Sequence, residues 1–485
     1  MSDAALLLFR DDLRLTDNPA LIAAVASKKP LIIAYIHDEK PAGDRALGGA
    51  SQWWLHHSLA SLARDIEKRG GTLQLFKGTP SKIIDRLVAD HSISAVFWNR
   101  RYHPSQVEAD KALKARYETK GLTVKSFNGS LLREPWEVKS KIGNPMKVFT
   151  PYWRASRLDH DVAQAEPAPK KLTSLEVKKI NGAVSLKDLN LLPQKPDWSS
   201  GLQAEWTPGE AGAIKRLDDF LENGFKGYAE DRNRPDRIST SRLSPHLRFG
   251  EISIKQVWHA AELAISSHKS RASSEDLRVF QSELGWREFA HHLLFHEPDL
   301  TRTNVQRSFD GFPWRRDEKL FKSWSRGETG YPIVDAGMRE LWQTGFMHNR
   351  VRMITASFLV KHLLIDWRRG EEWFWDTLVD ADIANNPASW QWVAGSGADA
   401  APYFRIFNPM LQGEKFDPDG NYVRKFVPEL KKLSARAIHA PWTAKPLELE
   451  SAGVILGKTY PKPIVDHDAA RIRALDAYKS LKESA

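Results

Sequence analysis

The feature that most restricts the fold lies in the first 130 residues, where short apolar runs alternate with longer segments of helical period. ALLLF (5–9), PLIIAYI (30–36), TLQLF (72–76), AVFW (95–98) and TVKSF (123–127) are each of strand length and rich in branched or aromatic residues. Between them, ASQWWLHHSLASLARDIEKRG (50–70) and SQVEADKALKARYETKG (105–121) repeat apolar positions at helical spacing, and the second ends on a glycine stop. Apolar strands separated by helices belong in a parallel sheet covered on both faces. A doubly wound, Rossmann-like α/β domain is therefore expected over 1–130. No GxGxxG follows the first run, so the dinucleotide fingerprint is missing and a nucleotide cofactor is expected elsewhere.

From 131 to 212 the periodicity fades and Pro, Lys, Ser and Asp rise, as in EPAPKKLTSLEVKK and LPQKPDWSS. This reads as a connector wrapping the surface. Beyond 213 the pattern is helical almost throughout, with loops at ISTSRLSP, GFPWRR and SGADAAPYF, which gives an all-α domain over 213–485. Its centre is the stretch 344–409. Trp342, Trp367, Trp373, Trp375, Trp390 and Trp392, six of the eighteen tryptophans, cluster in or beside it. Asn349 and Met353 share one helix face, with Arg352 next to it. Such polar groups, if buried unpaired, cost about 1–3 kcal/mol each, and Asp380 and Asp382 can supply the countercharge. A large aromatic core with a structural Arg–Asp pair is one reading. The density of polar groups among stackable rings points to another, a pocket for a flat heterocycle.

At 485 residues the chain has room for two or three domains with substantial cores. It has no Cys, which excludes disulfides, thiol nucleophiles and Cys-ligated zinc or iron–sulfur clusters, and no metal site is expected. A net charge of +10 suits a polyanionic partner, although a basic-surfaced enzyme carries the same signature. No run of eighteen apolar residues occurs, so no membrane span is expected. The N-terminus lacks a basic patch followed by an apolar signal core, which leads to the expectation of an intracellular, cytoplasmic protein.

FRDDLRLTDNPAL (9–21), GYAEDRNRPD (227–236), TSRLSPHLRFG (240–250), SELGWREF (282–289) and TGYPIVDAGMREL (329–341) join the 344–409 stretch in one ordered series. Together they resemble the photolyase/cryptochrome family, blue-light flavoproteins that repair DNA or signal, and the resemblance covers nearly the whole chain. It implies an FAD in the helical domain. Tyr228, Thr240, Ser241, Leu243 and Ser244 would lie at its phosphates, Arg352, Asp380, Asp382 and Asn386 would line its isoalloxazine ring, and Arg287 and Asn349 would also contact it. Asn386 would face the flavin N5, where photolyases carry Asn and plant signalling members usually Asp. On spacing alone, the TSRLSP hydroxyls read first as a helix N-cap, and the resemblance turns that reading toward a phosphate site.

The same resemblance implies that Glu283, Trp286, Asn349, Met353 and Trp392 form the pocket for a flipped-out cyclobutane pyrimidine dimer. Members acting on (6-4) photoproducts place two His where this chain has Asn349 and Met353. Arg350, Arg405 and Gln412 match positions at the DNA backbone. Trp390, Trp367 and Trp314 match a relay that carries electrons to the flavin, with Trp342, Trp373 and Trp375 close enough in sequence for a parallel branch. A second, antenna chromophore is expected in the N-terminal domain, methenyltetrahydrofolate in preference to a deazaflavin. Ser105–Gln106, however, stands where folate-binding members often have Asn–Glu, and Trp53–Trp54 offers either a stacking surface or ordinary helix packing. The implied activity is light-driven dimer repair on UV-damaged DNA by a monomeric enzyme of the branch close to plant cryptochromes. A cryptochrome-type photoreceptor using the same FAD pocket and a light-independent flavin oxidoreductase are the rivals.

Overall fold

The computed structural model describes residues 3–41, 43–158, 161–176, 180–267, 270–399 and 404–483, so part of the SGADAAPYF loop lies outside the described residues. The chain divides into two compact units. One comprises Met1–Lys226, Ser241–Pro298 and Val379–Ala381, and the other Gly227–Thr240, Asp299–Leu378 and Asp382–Ala485.

In the first unit the five apolar runs form β1 (Ala4–Phe9), β2 (Leu31–His37), β3 (Leu73–Lys77), β4 (Ile93–Asn99) and β5 (Thr123–Phe127). They pair in parallel in the order β3-β2-β1-β4-β5. Every residue of β1 is buried, as an apolar run at the centre of a parallel sheet must be, whereas the edge strands β3 and β5 are only partly covered. The returning helices are α1 (Pro19–Ala26), α2 (Gly49–Glu67), α3 (Pro80–Asp90) and α4 (Pro104–Thr119). Asn18 caps α1 by accepting from the Leu21 N–H, and α3 and α4 open on Pro, whose missing N–H costs nothing in a first turn.

The strand order reverses between β1 and β4, and polar side chains gather at that point. The Asn99 amide donates to Asp12 Oδ2 at 2.6 Å and to Asn18 Oδ1 at 2.8 Å. Burial pushes the Asp12 carboxyl up, while hydrogen bonds from the Arg10 N–H and the Asn99 amide pull it back. Beside it the buried Arg14 guanidinium donates to the carbonyls of Thr16, Asp17, Gly129 and Gly250. A charge this deep persists because carbonyls take up its N–H groups.

After β5 the regular elements of the unit are helices, set between irregular stretches such as 128–148. Helix α5 (Phe149–Leu158) packs on the long helix Ser274–His296, which starts with a Ser273/Asp276 capping box. Gly285 makes the close approach possible: a Cβ there would sit 2.6 Å from the Trp153 ring. Residues 131–226 thus pack with the sheet and this helix, whereas sequence character separates 131–212 from 213–485.

The second unit is helical, with no strand among its described residues beyond isolated bridges. The helix Asn349–Ser357 runs directly into a π-turn at Phe358–His362, a feature frequent at functional sites. The helix Trp367–Thr377 then crosses the helix Asn385–Ala394 at Gly370, where a Cβ would meet the Trp390 ring at 2.2 Å. Any side chain at 370 would push Trp390 out of place.

Candidate functional site

The residues singled out from the sequence fall in both units. In the first, Glu283, Trp286 and Arg287 follow one another along the helix Ser274–His296 at i, i+3 and i+4, so they share a face. All three are half-buried. The Trp286 ring lies flat against Phe149, with centroids 3.7 Å apart and planes within 9°. This backing holds the ring in a fixed plane. Arg287 donates to the Ser130 carbonyl at 2.8 Å and lies 3.5 Å from Glu288. The Glu288 carboxyl is buried and pushed up to about 7, although Arg287 and the Leu132 and Arg133 amides favour its charge.

The TSRLSP segment shows a strained backbone. Arg242 adopts φ +51°, a left-handed conformation that costs a non-glycine residue about 1–3 kcal/mol. Its guanidinium is held by Glu205 and over the Trp206 ring at 4.7 Å. The strain turns the chain between Ser241 and the buried Leu243. Ser244 then donates to Asp380 Oδ2 at 2.6 Å. The helix beginning there, Ser244–Arg248, has only five residues. Few aligned peptides stand behind its N-terminus, so hydroxyls and loop N–H groups carry any anion preference.

In the second unit Tyr228 is buried, with Arg232 5.9 Å above its ring, and Thr240 is half-buried. Asn349 is exposed and Met353 half-buried, so the helix face they share reaches solvent. Arg352 donates through Nε to the Met347 carbonyl at 2.7 Å. Asp382 Oδ1 accepts from the backbone of Ala384 and Asn385, so this carboxylate shapes the turn into the helix Asn385–Ala394. Four residues later Asn386 is buried, and its Nδ2 donates to Glu371 Oε1 at 2.8 Å and to the Glu371 carbonyl at 3.1 Å. Trp392 is half-buried on the same helix. Arg350 bonds Asn233 and lies 4.5 Å over Phe416, Arg405 is exposed beside Phe407, and Gln412 is half-buried on the helix Pro409–Phe416.

Trp390 and Trp367 are buried and Trp314 is half-buried. Gly370, one turn beyond Trp367, receives the Trp390 ring, and Arg315 pairs with Leu364–Ile365, bringing the Trp314 segment beside the start of the Trp367 helix. Sequence reasoning passed over Trp324, whose ring stands 6.2 Å from Trp390, edge to face. On the surface Trp342 stacks on Trp373 at 6.1 Å. It also missed Phe149 and Glu371, since neither has a spacing relation to the residue it holds. Trp53 and Trp54 are both buried, and Trp54 Nε1 donates to Glu251 at 3.0 Å, so helix packing accounts for them and they offer no open stacking surface. Gln106 donates to Asp44, and Ser105 bonds His103.

No helix among the described residues is long and apolar enough to cross a membrane. No cluster of three or more candidate metal ligands occurs among them.

Comparison with known proteins bears on both units. Residues 5–171 match the family described as DNA photolyase, and residues 280–480 match the FAD binding domain of DNA photolyase. The chain is 56% identical to a deoxyribodipyrimidine photo-lyase of Agrobacterium fabrum, over 98% of each chain. It is 37% identical to Cryptochrome-1 of Arabidopsis thaliana, over 98% of this chain and 70% of that protein. Among solved structures, a bacterial class III photolyase from Agrobacterium tumefaciens superposes with a TM-score of 0.95 at 54% identity, over 100% of this chain and 98% of that one. The chain belongs to the photolyase/cryptochrome family, and it carries that family's FAD-binding domain.

The side chains fit such a cofactor. With both amide hydrogens on Glu371, Asn386 has only Oδ1 left to present, an acceptor suited to a ring N–H. In the first unit Ser244 and Asp380, joined to each other, present a hydroxyl and a carboxylate of the kind a polar cofactor needs.

Proposed function

We propose that the protein is a deoxyribodipyrimidine photo-lyase, repairing cyclobutane pyrimidine dimers in UV-damaged DNA with light. The observation that carries the reading is the shared face of Glu283 and Trp286, with the Trp286 ring fixed flat by Phe149. Work on a base needs the nucleotide out of the stack, at a cost of a few kcal/mol that a distorted dimer lowers. A preset aromatic surface receives the extruded bases, and Glu283 hydrogen-bonds their carbonyls. Asn349, Met353 and Trp392 complete the pocket, and Arg350, Arg405 and Gln412 hold the DNA backbone without reading sequence.

FAD supplies light absorption and one-electron transfer when bound. Tyr228, Thr240, Ser241, Leu243, Ser244, Arg287, Asn349, Arg352, Asp380, Asp382 and Asn386 would hold it. Trp390, Trp367 and Trp314 would form the relay that keeps it reduced. Functionally, residues 1–130 form the antenna domain, 131–212 a connector and 213–485 the catalytic region. The antenna would be methenyltetrahydrofolate rather than a deazaflavin, and mass analysis of extracted chromophores tests this. The enzyme would act as a cytoplasmic monomer. A cryptochrome role is disfavoured by the neutral Asn386 and the intact dimer-pocket set. Light-dependent loss of dimers from damaged DNA is the test of the central activity.

A further inference from the structure

Trp367 is fully buried, and its indole Nε1–H donates to Asn304 Oδ1 at 2.9 Å. Asn304, itself only 2% exposed, passes its own amide N–H on to Asp310 Oδ1 at 2.8 Å. These two bonds fix the amide orientation, because an indole can only donate and a carboxylate can only accept. The residue is also held rigidly. Gln391, beside Trp390, accepts from the Val305 N–H and donates to the carbonyls of Leu300 and Thr303, and Gln306 N–H bonds the Ser396 carbonyl. Asn304 is therefore a neutral spacer between a buried indole and a half-exposed carboxylate that also pairs with Arg307.

The arrangement matters because an indole that has lost an electron becomes an acid comparable in strength to a carboxylic acid. If its proton leaves, a neutral radical remains that is too weak an oxidant to draw an electron from the next indole. Arg368 lies over the Trp367 ring at 4.8 Å and strengthens the tendency to shed that proton, since its charge disfavours a second positive charge. Its countercharge is Asp366, which accepts from the Arg368 side chain and caps the helix. Trp324, the other indole against Trp390, likewise donates to a neutral acceptor, the Thr355 carbonyl.

We propose that Asn304 leaves the proton on oxidised Trp367 by giving its N–H a non-basic partner and separating it from the Asp310 carboxylate. The proposal rests on the relay reading given above. Trp390 loses one electron to a photoexcited isoalloxazine, and Trp367 refills it. Trp314 refills Trp367, and the Trp367 N–H bond stays intact throughout because an amide oxygen is too weak a base to take the proton. A carboxylate at the same place would take the proton onto its oxygen and stop the hole at Trp367.

Flash spectroscopy on the FAD-loaded protein, following tryptophan cation and neutral radical bands, tests this. Asn304→Asp should behave like the parent at low pH, where its carboxyl, beside Asp310, holds a proton. At higher pH it should show the neutral radical early and lose the Trp314 signal. Asn304→Leu, which has no base, should keep the cation at Trp367 and pass the hole on, as the parent does. Parent-like behaviour of Asn304→Asp at every pH, or early neutral radical in Asn304→Leu or in the parent, overturns the proposal alone. Unchanged photoreduction in Trp367→Phe overturns the relay and the proposal together.

Discussion

Asn386 gives both hydrogens of its amide to Glu371, one to the carboxylate at 2.8 Å and one to the backbone carbonyl at 3.1 Å. A buried glutamate thereby sets which atom of Asn386 is presented outward, and that atom is an acceptor. The arrangement favours a partner that carries a hydrogen, as a reduced flavin does at N5.

Asn386→Asp should therefore weaken the reduced state. The new carboxylate cannot donate to Glu371, and losing a hydrogen bond to a charged group costs about 1.5–3 kcal/mol. The midpoint potential of the bound flavin should fall, and flavin retention with it. Spectroelectrochemical titration reads both, and an unchanged potential contradicts the role.

Glu283→Ala removes a hydrogen bond to the lesion and none that the account gives to the cofactor. Loss of about 1.5–3 kcal/mol corresponds to a fall of roughly 10- to 150-fold in lesion affinity or repair rate. Flavin content should stay the same. Equal repair by the variant would remove Glu283 from the pocket.

Much of this was legible in the sequence. The five strands announced themselves because a central parallel strand is apolar on both faces, and each lies within two residues of its run. The Trp-rich helices were equally clear. Contacts between distant segments were not. Nothing in spacing ties Phe149 to Trp286, Glu371 to Asn386 or Asn304 to Trp367, since tertiary packing alone joins them. The helix period put Asn349 and Met353 on one face but could not tell that Asn349 is exposed and Met353 half-buried. Trp53–Trp54 could not be assigned from sequence, because a stacking surface and a packed core use the same residues.

Glu288 gives a pH test of the fold itself. Burial raises its carboxyl from the ordinary 4.5 to about 7, so the folded protein holds a proton that the unfolded chain releases. Its contribution to stability is full below pH 4.5 and falls as pH rises toward 7, by about 3 kcal/mol. Glu288→Gln mimics the protonated form and lacks this slope. The stability difference, parent minus variant, should drop across that window in denaturant titrations and be flat above it. A constant difference contradicts the assignment.

Binding to undamaged duplex should be weak, independent of sequence and steeply salt-dependent between about 50 and 200 mM. Arg405→Ala should lower affinity evenly across sequences and reduce the salt slope by about one. A slope that does not change would mean that the exposed Arg405 lies off the DNA path.

The most direct measurement uses the purified protein with its FAD chemically reduced and an oligonucleotide holding one cyclobutane thymine dimer. Intact dimer is counted after blue or near-UV illumination and after an equal time in darkness. Dimers should disappear under light, over repeated turnovers, and persist in the dark. Persistence of the dimer under light, with reduced FAD bound and the DNA engaged, would contradict it.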